Sequence, residues 1–312
     1  MMRVRAAAGA GKSTALLEFA RLHASSRVLY VVFNCNVQRD QAQKYHREGL
    51  DRVHVTTIDA LAYNATMDVH GGRIVDEYEL VGVDLNCVAR DAALAAARGT
   101  IDAFVLSPDV ELAAWHVPPL RRVDVDPADV LAAARQAWLG LAAGRIAMTT
   151  AVCTKVYQLK RARRDARFDL VLLDEAQDCT PVQLDAVLRL PGTAAVVAFD
   201  ERQSINQWRG AVHPASLLCL RAPAPGTTVD RPLSRSFRYG DEVAALATDV
   251  FGAFGIQSAV TADDVVRGNP HRRTTVVAYA DAPSYAAAQS DAGRRVAVIA
   301  RTHARLFVVA FE

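Results

Sequence analysis

MRVRAAAGAGKSTALLEFARL, residues 2 to 22, joins a short strand-like start, a loop of small residues and a helical pattern that begins near Ser13. Within it AAAGAGKS, residues 6 to 13, follows the pattern G-x-x-x-x-G-K-[ST] except that Ala6 stands at the first glycine. Small residues let backbone N–H groups close around a phosphate, and the start of the following helix adds partial positive charge. Ala8, Gly9, Ala10, Gly11, Lys12, Ser13 and Thr14 are therefore expected to bind a nucleotide. Lys12 would reach the β- and γ-phosphates and the Ser13 hydroxyl would ligate Mg²⁺. ATP and Mg²⁺ are the ligands this loop predicts.

A phosphate loop of this kind needs an acidic partner at the end of a neighbouring strand, and FDLVLLDEAQD, residues 168 to 178, supplies one. Asp174 and Glu175 follow an apolar run, which puts them at the carboxyl edge of a sheet. Asp174 is predicted to hold the metal, and Glu175 to orient or deprotonate the attacking water. Five other short apolar runs read as buried parallel strands: residues 28 to 33, 53 to 57, 194 to 199, 274 to 280 and 295 to 300. Most are followed by a helical pattern or a polar loop, so the fold class is α/β with a sheet covered on both faces.

Between about residues 64 and 145 the texture becomes Ala-rich with helical period, as in DAALAAAR and DVLAAARQAWLGLAA, and reads as a helical insertion. RAPAPGTTVDRP, residues 221 to 232, reads as a linker to a second, shorter α/β segment. The resulting division is residues 1–63 with 146–220 as the ATP-binding domain, 64–145 as the insertion and 232–312 as a partial second domain.

The 312 residues allow two domains, each with its own core. No apolar run is long enough to cross a bilayer, so no membrane partner is expected. Five scattered cysteines without C-x-x-C spacing suggest neither a disulfide framework nor a zinc site, which fits a reducing, intracellular compartment. A net charge of +2 does not by itself argue for nucleic acid. Lys160, Arg161, Arg163, Arg164 and Arg167 are a local exception, readable as a solvated face, a phosphate-contacting patch or a nuclear address.

Taken together, AAAGAGKS and DEAQD (174 to 178) resemble superfamily 1 DNA helicases of the UvrD/Rep type. DERQSINQWRGA (200 to 211), LSRSFRYG (233 to 240) and VAVIARTHARLF (296 to 307) resemble later motifs of that family, in the family's order. VLYVVFN, TTIDALAY, KVYQL and DEAQDCTPVQLD are most similar to the F-box DNA helicase branch. The resemblance implies a RecA-like P-loop NTPase sheet and a helicase or translocase core that hydrolyses ATP on single-stranded DNA or at single/double-strand junctions. Its setting would be DNA repair and recombination, in the nucleus of a eukaryote or eukaryotic host.

Carried over residue by residue, the resemblance makes Gln203 the γ-phosphate-sensing glutamine and Arg238 the arginine finger. Trp208 becomes the base-stacking aromatic, and Arg209 a partner of Asp178 or of DNA. Asn34 and Thr57 match polar positions along the single-strand track. Against the branch pattern, Cys35 replaces a lysine, Asp59 a histidine, and Thr150 with Ala151 a His-Asp pair, so a lower DNA affinity is expected. Only five residues precede the loop match and the chain ends at Glu312, so the upstream adenine motif and the last two helicase motifs have no counterpart in this sequence. The expectation is an incomplete motor, with the rest of the second domain a candidate partner polypeptide. A nucleotide- or single-strand-binding remnant with little turnover is the alternative. A small-molecule P-loop kinase would require a substrate lid and leaves the helicase order of DEAQD, Gln203 and Trp208 without a reason.

Overall fold

The computed structural model describes residues 1–70, 74–80, 83, 90–120, 125–160, 168–190, 194–212, 228–253, 267–271 and 291. Six strands form one parallel sheet: β1 (Met2–Ala6), β2 (Val28–Val32), β3 (Val53–Thr57), β4 (Leu170–Leu173), β5 (Ala194–Phe199) and β6 (Val229–Leu233), in the order β3-β2-β4-β5-β1-β6. Strands buried on both faces lack polar alternation, and the central three show why. Val28, Tyr30 and Val32 of β2 join Leu170 and Leu172 of β4 and Val196 and Ala198 of β5 on one face. Leu29, Val31, Val171, Leu173, Val197 and Phe199 fill the other. The first face is covered by α1 (Lys12–Leu22) through Leu16, Leu17 and Ala20, and by α2 (Cys35–Arg47) through Tyr45. The second is covered by α3 (Ile58–His70) through Ile58, and by α7 (Pro181–Leu188) through Leu184 and Val187.

Between α3 and α7 in the chain lie α4 (Arg90–Leu106), α5 (Pro127–Ala142) and α6 (Thr150–Lys160). Their alanines permit close helix contact, and Ala93, Ala97, Ile101 and Phe104 of α4 pack with Val130, Ala134 and Leu141 of α5 and Val152 and Val156 of α6. Local chemistry fixes the helix starts. Asp126 accepts from the Ala128 N–H at 2.8 Å with Pro127 behind it, and Thr180 and Gln183 form a reciprocal capping box before α7. Helix α3 runs across residue 64 and meets α6 and α7 around Ala62, Cys153, Tyr157 and Ala186.

The linker reading of residues 221 to 232 is corrected at its end: Val229–Leu233 is a strand of the first sheet, paired with β1 from Met2 to Ala6. Four of its five residues are exposed, and the Arg3 guanidinium bonds Asp230 across the pair at 2.7 Å. An edge strand tolerates Asp230, Arg231 and Pro232 because, among the described residues, one of its edges has no ladder to complete, so it carries no apolar run to betray it. The chain then crosses the phosphate loop and enters α8 (Asp241–Ala253), whose Ala244 packs on Ala6, Ala7 and Ala10. The expected strands at 274 to 280 and 295 to 300, the motif at 296 to 307, residues 221–227 and the basic residues Arg161 to Arg167 lie outside the described residues.

Candidate nucleotide site and nucleic-acid face

Strand β1 delivers the chain into the phosphate loop, where Gly9 (φ 70°) and Gly11 (φ 91°) adopt left-handed backbone. Ala6 is instead the last residue of β1, paired with Leu233, so no glycine is needed where the pattern usually has one. Gly9 also admits a close neighbour: a Cβ there would stand 2.6 Å from Arg238 Cβ, and the Gly9 carbonyl accepts from the Phe237 N–H at 2.9 Å. The result is a cleft of about 390 Å³ lined by Gly9 to Thr14, Glu175, Phe237 and Arg238. That is room for the phosphates of a nucleotide at the start of α1.

Glu175 lines this cleft, and Asp174 stands behind Ser13. Ser13 Oγ donates to Asp174 Oδ2 at 2.9 Å, and Lys12 Nζ lies 3.4 Å from Glu175 Oε2. Asp174 also accepts from Tyr30 Oη at 2.9 Å and, through its other oxygen, from the Glu175 N–H. Burial, with the neighbouring Glu175 charge behind it, holds the Asp174 carboxyl above the usual range despite the bonds from Tyr30 and Ser13. Tyr30, stripped of water against that carboxylate, is pushed up as well and stays a phenol. A buried carboxylate beside a serine hydroxyl is an all-oxygen donor pair that suits a hard dication sharing its coordination with phosphates and water, so the residues fit Mg²⁺.

A second layer was not assigned from the sequence. Gln177 Nε2 donates to Glu175 Oε2 at 2.7 Å, its Oε1 accepts from the Asp200 N–H at 3.0 Å, and Gln203 Nε2 donates to Asp200 Oδ2 at 2.6 Å. Gln203 is thus linked to Glu175 by two intermediates and is not among the residues lining the cleft, whereas Arg238 is. The signal for this relay is the Gln of DEAQD and the Asp that opens DERQS, but their pairing depends on β4 and β5 being neighbours. Burial raises the Asp200 carboxyl, an effect the Lys12 charge opposes.

On the other side of the strand ends the expected nucleic-acid residues are spread more widely. Trp208 is 82% exposed with the Arg209 guanidinium 5.7 Å from its ring centroid, so it is no core aromatic. Arg209 lines a separate cleft of about 330 Å³ together with Phe33, Asp59, Thr150, Thr154 and Asp178, without a direct ion pair to Asp178. Asn34 is exposed and caps α2 by accepting from the Val37 N–H at 2.9 Å. Thr57 is buried, and its Oγ1 accepts from the Ala60 N–H at 3.1 Å at the start of α3, so it supports the backbone.

Residues 136–219 match the UvrD/REP helicase N-terminal domain, a segment that holds Asp174, Glu175, Gln203 and Trp208. The six-stranded parallel α/β sheet is consistent with a UvrD-type RecA-like helicase domain, and the similarity to F-box DNA helicases extends over most of the chain. Similar proteins are F-box DNA helicase protein 1 of Schizosaccharomyces pombe, 25% identical over 273 residues, covering 79% of this chain and 30% of that protein. F-box DNA helicase 1 of Gallus gallus is 24% identical over 322 aligned positions, covering 94% of this chain and 30% of that protein. The chain therefore spans about 30% of the length of these curated relatives. Among the described residues no helix is long and apolar enough to cross a membrane.

Proposed function

We propose that the chain binds Mg²⁺-ATP in the cleft between the phosphate loop and Glu175 and hydrolyses it in response to single-stranded DNA carried on the Trp208 face. The observation that supports this most directly is the convergence of Lys12, Ser13, Glu175 and Arg238 on one cleft, with Asp174 bonded to Ser13 behind it, from three separate stretches of chain. Ser13 and Asp174 would hold Mg²⁺, which neutralises charge on the β- and γ-phosphates when bound. Lys12, now paired with Glu175, exchanges that partner for phosphate oxygens, leaving Glu175 to take a proton from the attacking water. Gln177, Asp200 and Gln203 carry the change in Glu175 toward the loop that presents Trp208. Arg238 adds positive charge over the phosphates, and Trp208 stacks on a base without reading sequence.

ATP hydrolysis by the purified chain, with and without single-stranded DNA, tests this reading. DNA-stimulated turnover that disappears in Lys12→Ala and Glu175→Gln is the expected result. Nucleotide binding with no turnover in any DNA condition would assign the chain to a binding module, and no nucleotide binding at all would end the ATPase reading.

A further inference from the structure

Lys155 of α6 is fully buried, at 0% exposure, yet lies outside the nucleotide site. Its ammonium donates to Ser107 O at 3.0 Å and to Asp109 O, and stands 4.0 Å from the Phe104 ring centroid. One turn along the same helix, Gln158 Nε2 donates to Pro108 O at 2.8 Å and to Asp185 Oδ2 of α7 at 2.7 Å. Every peptide carbonyl from Ser107 to Asp109 is thereby held by a side chain of α6. A buried ammonium is expensive unless its donors are used, so a lysine serving only to fill space would be poorly chosen here. What it gains is a fixed turn immediately after α4.

That turn begins one residue past Leu106, and Leu106 reaches the loop that carries Trp208. A Cβ placed on Gly210 would stand 3.0 Å from Leu106 Cδ1, and Gly210 is in left-handed backbone at φ 87°. Its N–H closes the 3-10 turn Gln207–Arg209 by donating to Gln207 O at 2.9 Å. Leu106 and Arg209 also line the same cleft. The inserted helices thus hold the exposed loop from behind, through one aliphatic side chain against one glycine.

We infer that Lys155 is a positioning residue for the Trp208–Arg209 platform, acting through the 107–109 turn and Leu106. The inference rests on the reading of Trp208 as the residue that meets a single strand. Fluorescent oligothymidylate titrated into the full chain measures strand affinity, a fluorescent ATP analogue measures nucleotide affinity, and calorimetry measures folding. Lys155→Met and Leu106→Ala should each weaken strand binding by about fivefold or more, the lower range for one lost stacking contact, with nucleotide affinity unchanged. Combined with Trp208→Ala, neither should weaken binding further, because both act through that ring. A merely structural role for Lys155 predicts additive losses, and additive losses overturn the inference. Should Lys155→Met fail to fold, Leu106→Ala carries the same cycle. Strand binding that depends on Trp208 but ignores Lys155 and Leu106 overturns this inference alone. A wild-type chain that binds no oligothymidylate overturns the reading of the Trp208 face and this inference with it.

Discussion

Glu175 adopts left-handed backbone at φ 52°, unlike any other non-glycine among the described residues. A residue with a Cβ held there stores strain, which a functional site tolerates when the geometry is needed. Here it turns the carboxylate toward Lys12 while Asp174, one residue earlier, faces Ser13. The cost of that arrangement shows in proton binding. A folded Asp174 keeps its proton to a higher pH than the unfolded chain, whose aspartates titrate near about 3.9. The folded state therefore binds more protons than the unfolded one above that pH, and stability falls as pH rises through the interval up to the raised folded pKa. Burial raises Asp178 and Asp200 in the same sense. Asp174→Asn is accordingly expected to raise the melting temperature of the metal-free protein at pH 7 and to remove the stabilisation given by Mg²⁺-nucleotide, both measurable by scanning calorimetry. Arg238→Ala should lower DNA-stimulated kcat by on the order of 10³ or more if its charge meets the transferred phosphate, with folding intact. A loss under tenfold would relegate Arg238 to a wall of the cleft.

The elements are built from ordinary local rules at positions that matter for the site. Thr180 and Gln183 start α7 immediately after DEAQD, so the cap fixes where the acidic strand end hands over to the helix beneath the sheet. Thr180→Ala is expected to cost about 1 kcal/mol, the usual loss of an N-cap, read as a lower midpoint in urea with unchanged slope. Strand β4 is less forgiving. Leu172 is fully buried between β2 and β5, and Leu172→Ala should cost about 2–5 kcal/mol by leaving a cavity, seen in the same titration. The asymmetry between those two changes separates a surface signal that water can partly replace from packing that nothing replaces.

Among the described residues, the nucleotide cleft sets Lys12 and Arg238 against Glu175, while the cleft beside Trp208 is lined by Asp59 and Asp178 with Arg209 as its one cation. Cys35 is exposed where the resemblance implies a lysine, and Asp59, where it implies a histidine, lines the cleft beside Arg209. Each phosphate neutralised by a cation adds about 0.7 to the salt slope for single strands, so this chain should show a shallow dependence of strand affinity on salt. Titration from low to high salt checks it, and a slope corresponding to many neutralised phosphates would point to a track elsewhere on the surface.

The central strands, the phosphate loop and the acidic strand end were legible in the linear sequence because each carries its signal locally. A strand buried on two faces must be apolar throughout, and a loop that wraps phosphates must be small and end in Lys-Ser. Edge strand β6 was hidden because exposure lets Asp230, Arg231 and Pro232 stand in a strand, and the cap that the Thr57 hydroxyl gives α3 carries no signal in the linear sequence. The sequence by itself determined the α/β class, the position of Lys12 and the order of the motifs. Only the tertiary structure decided that Arg238 closes over Gly9, that Gln177 and Asp200 join Glu175 to Gln203, and that Leu106 backs Gly210. The deciding links, Gly9 with Arg238, Gln177 with Asp200 and Leu106 with Gly210, join residues more than twenty positions apart, so they exist only once the sheet has chosen its order.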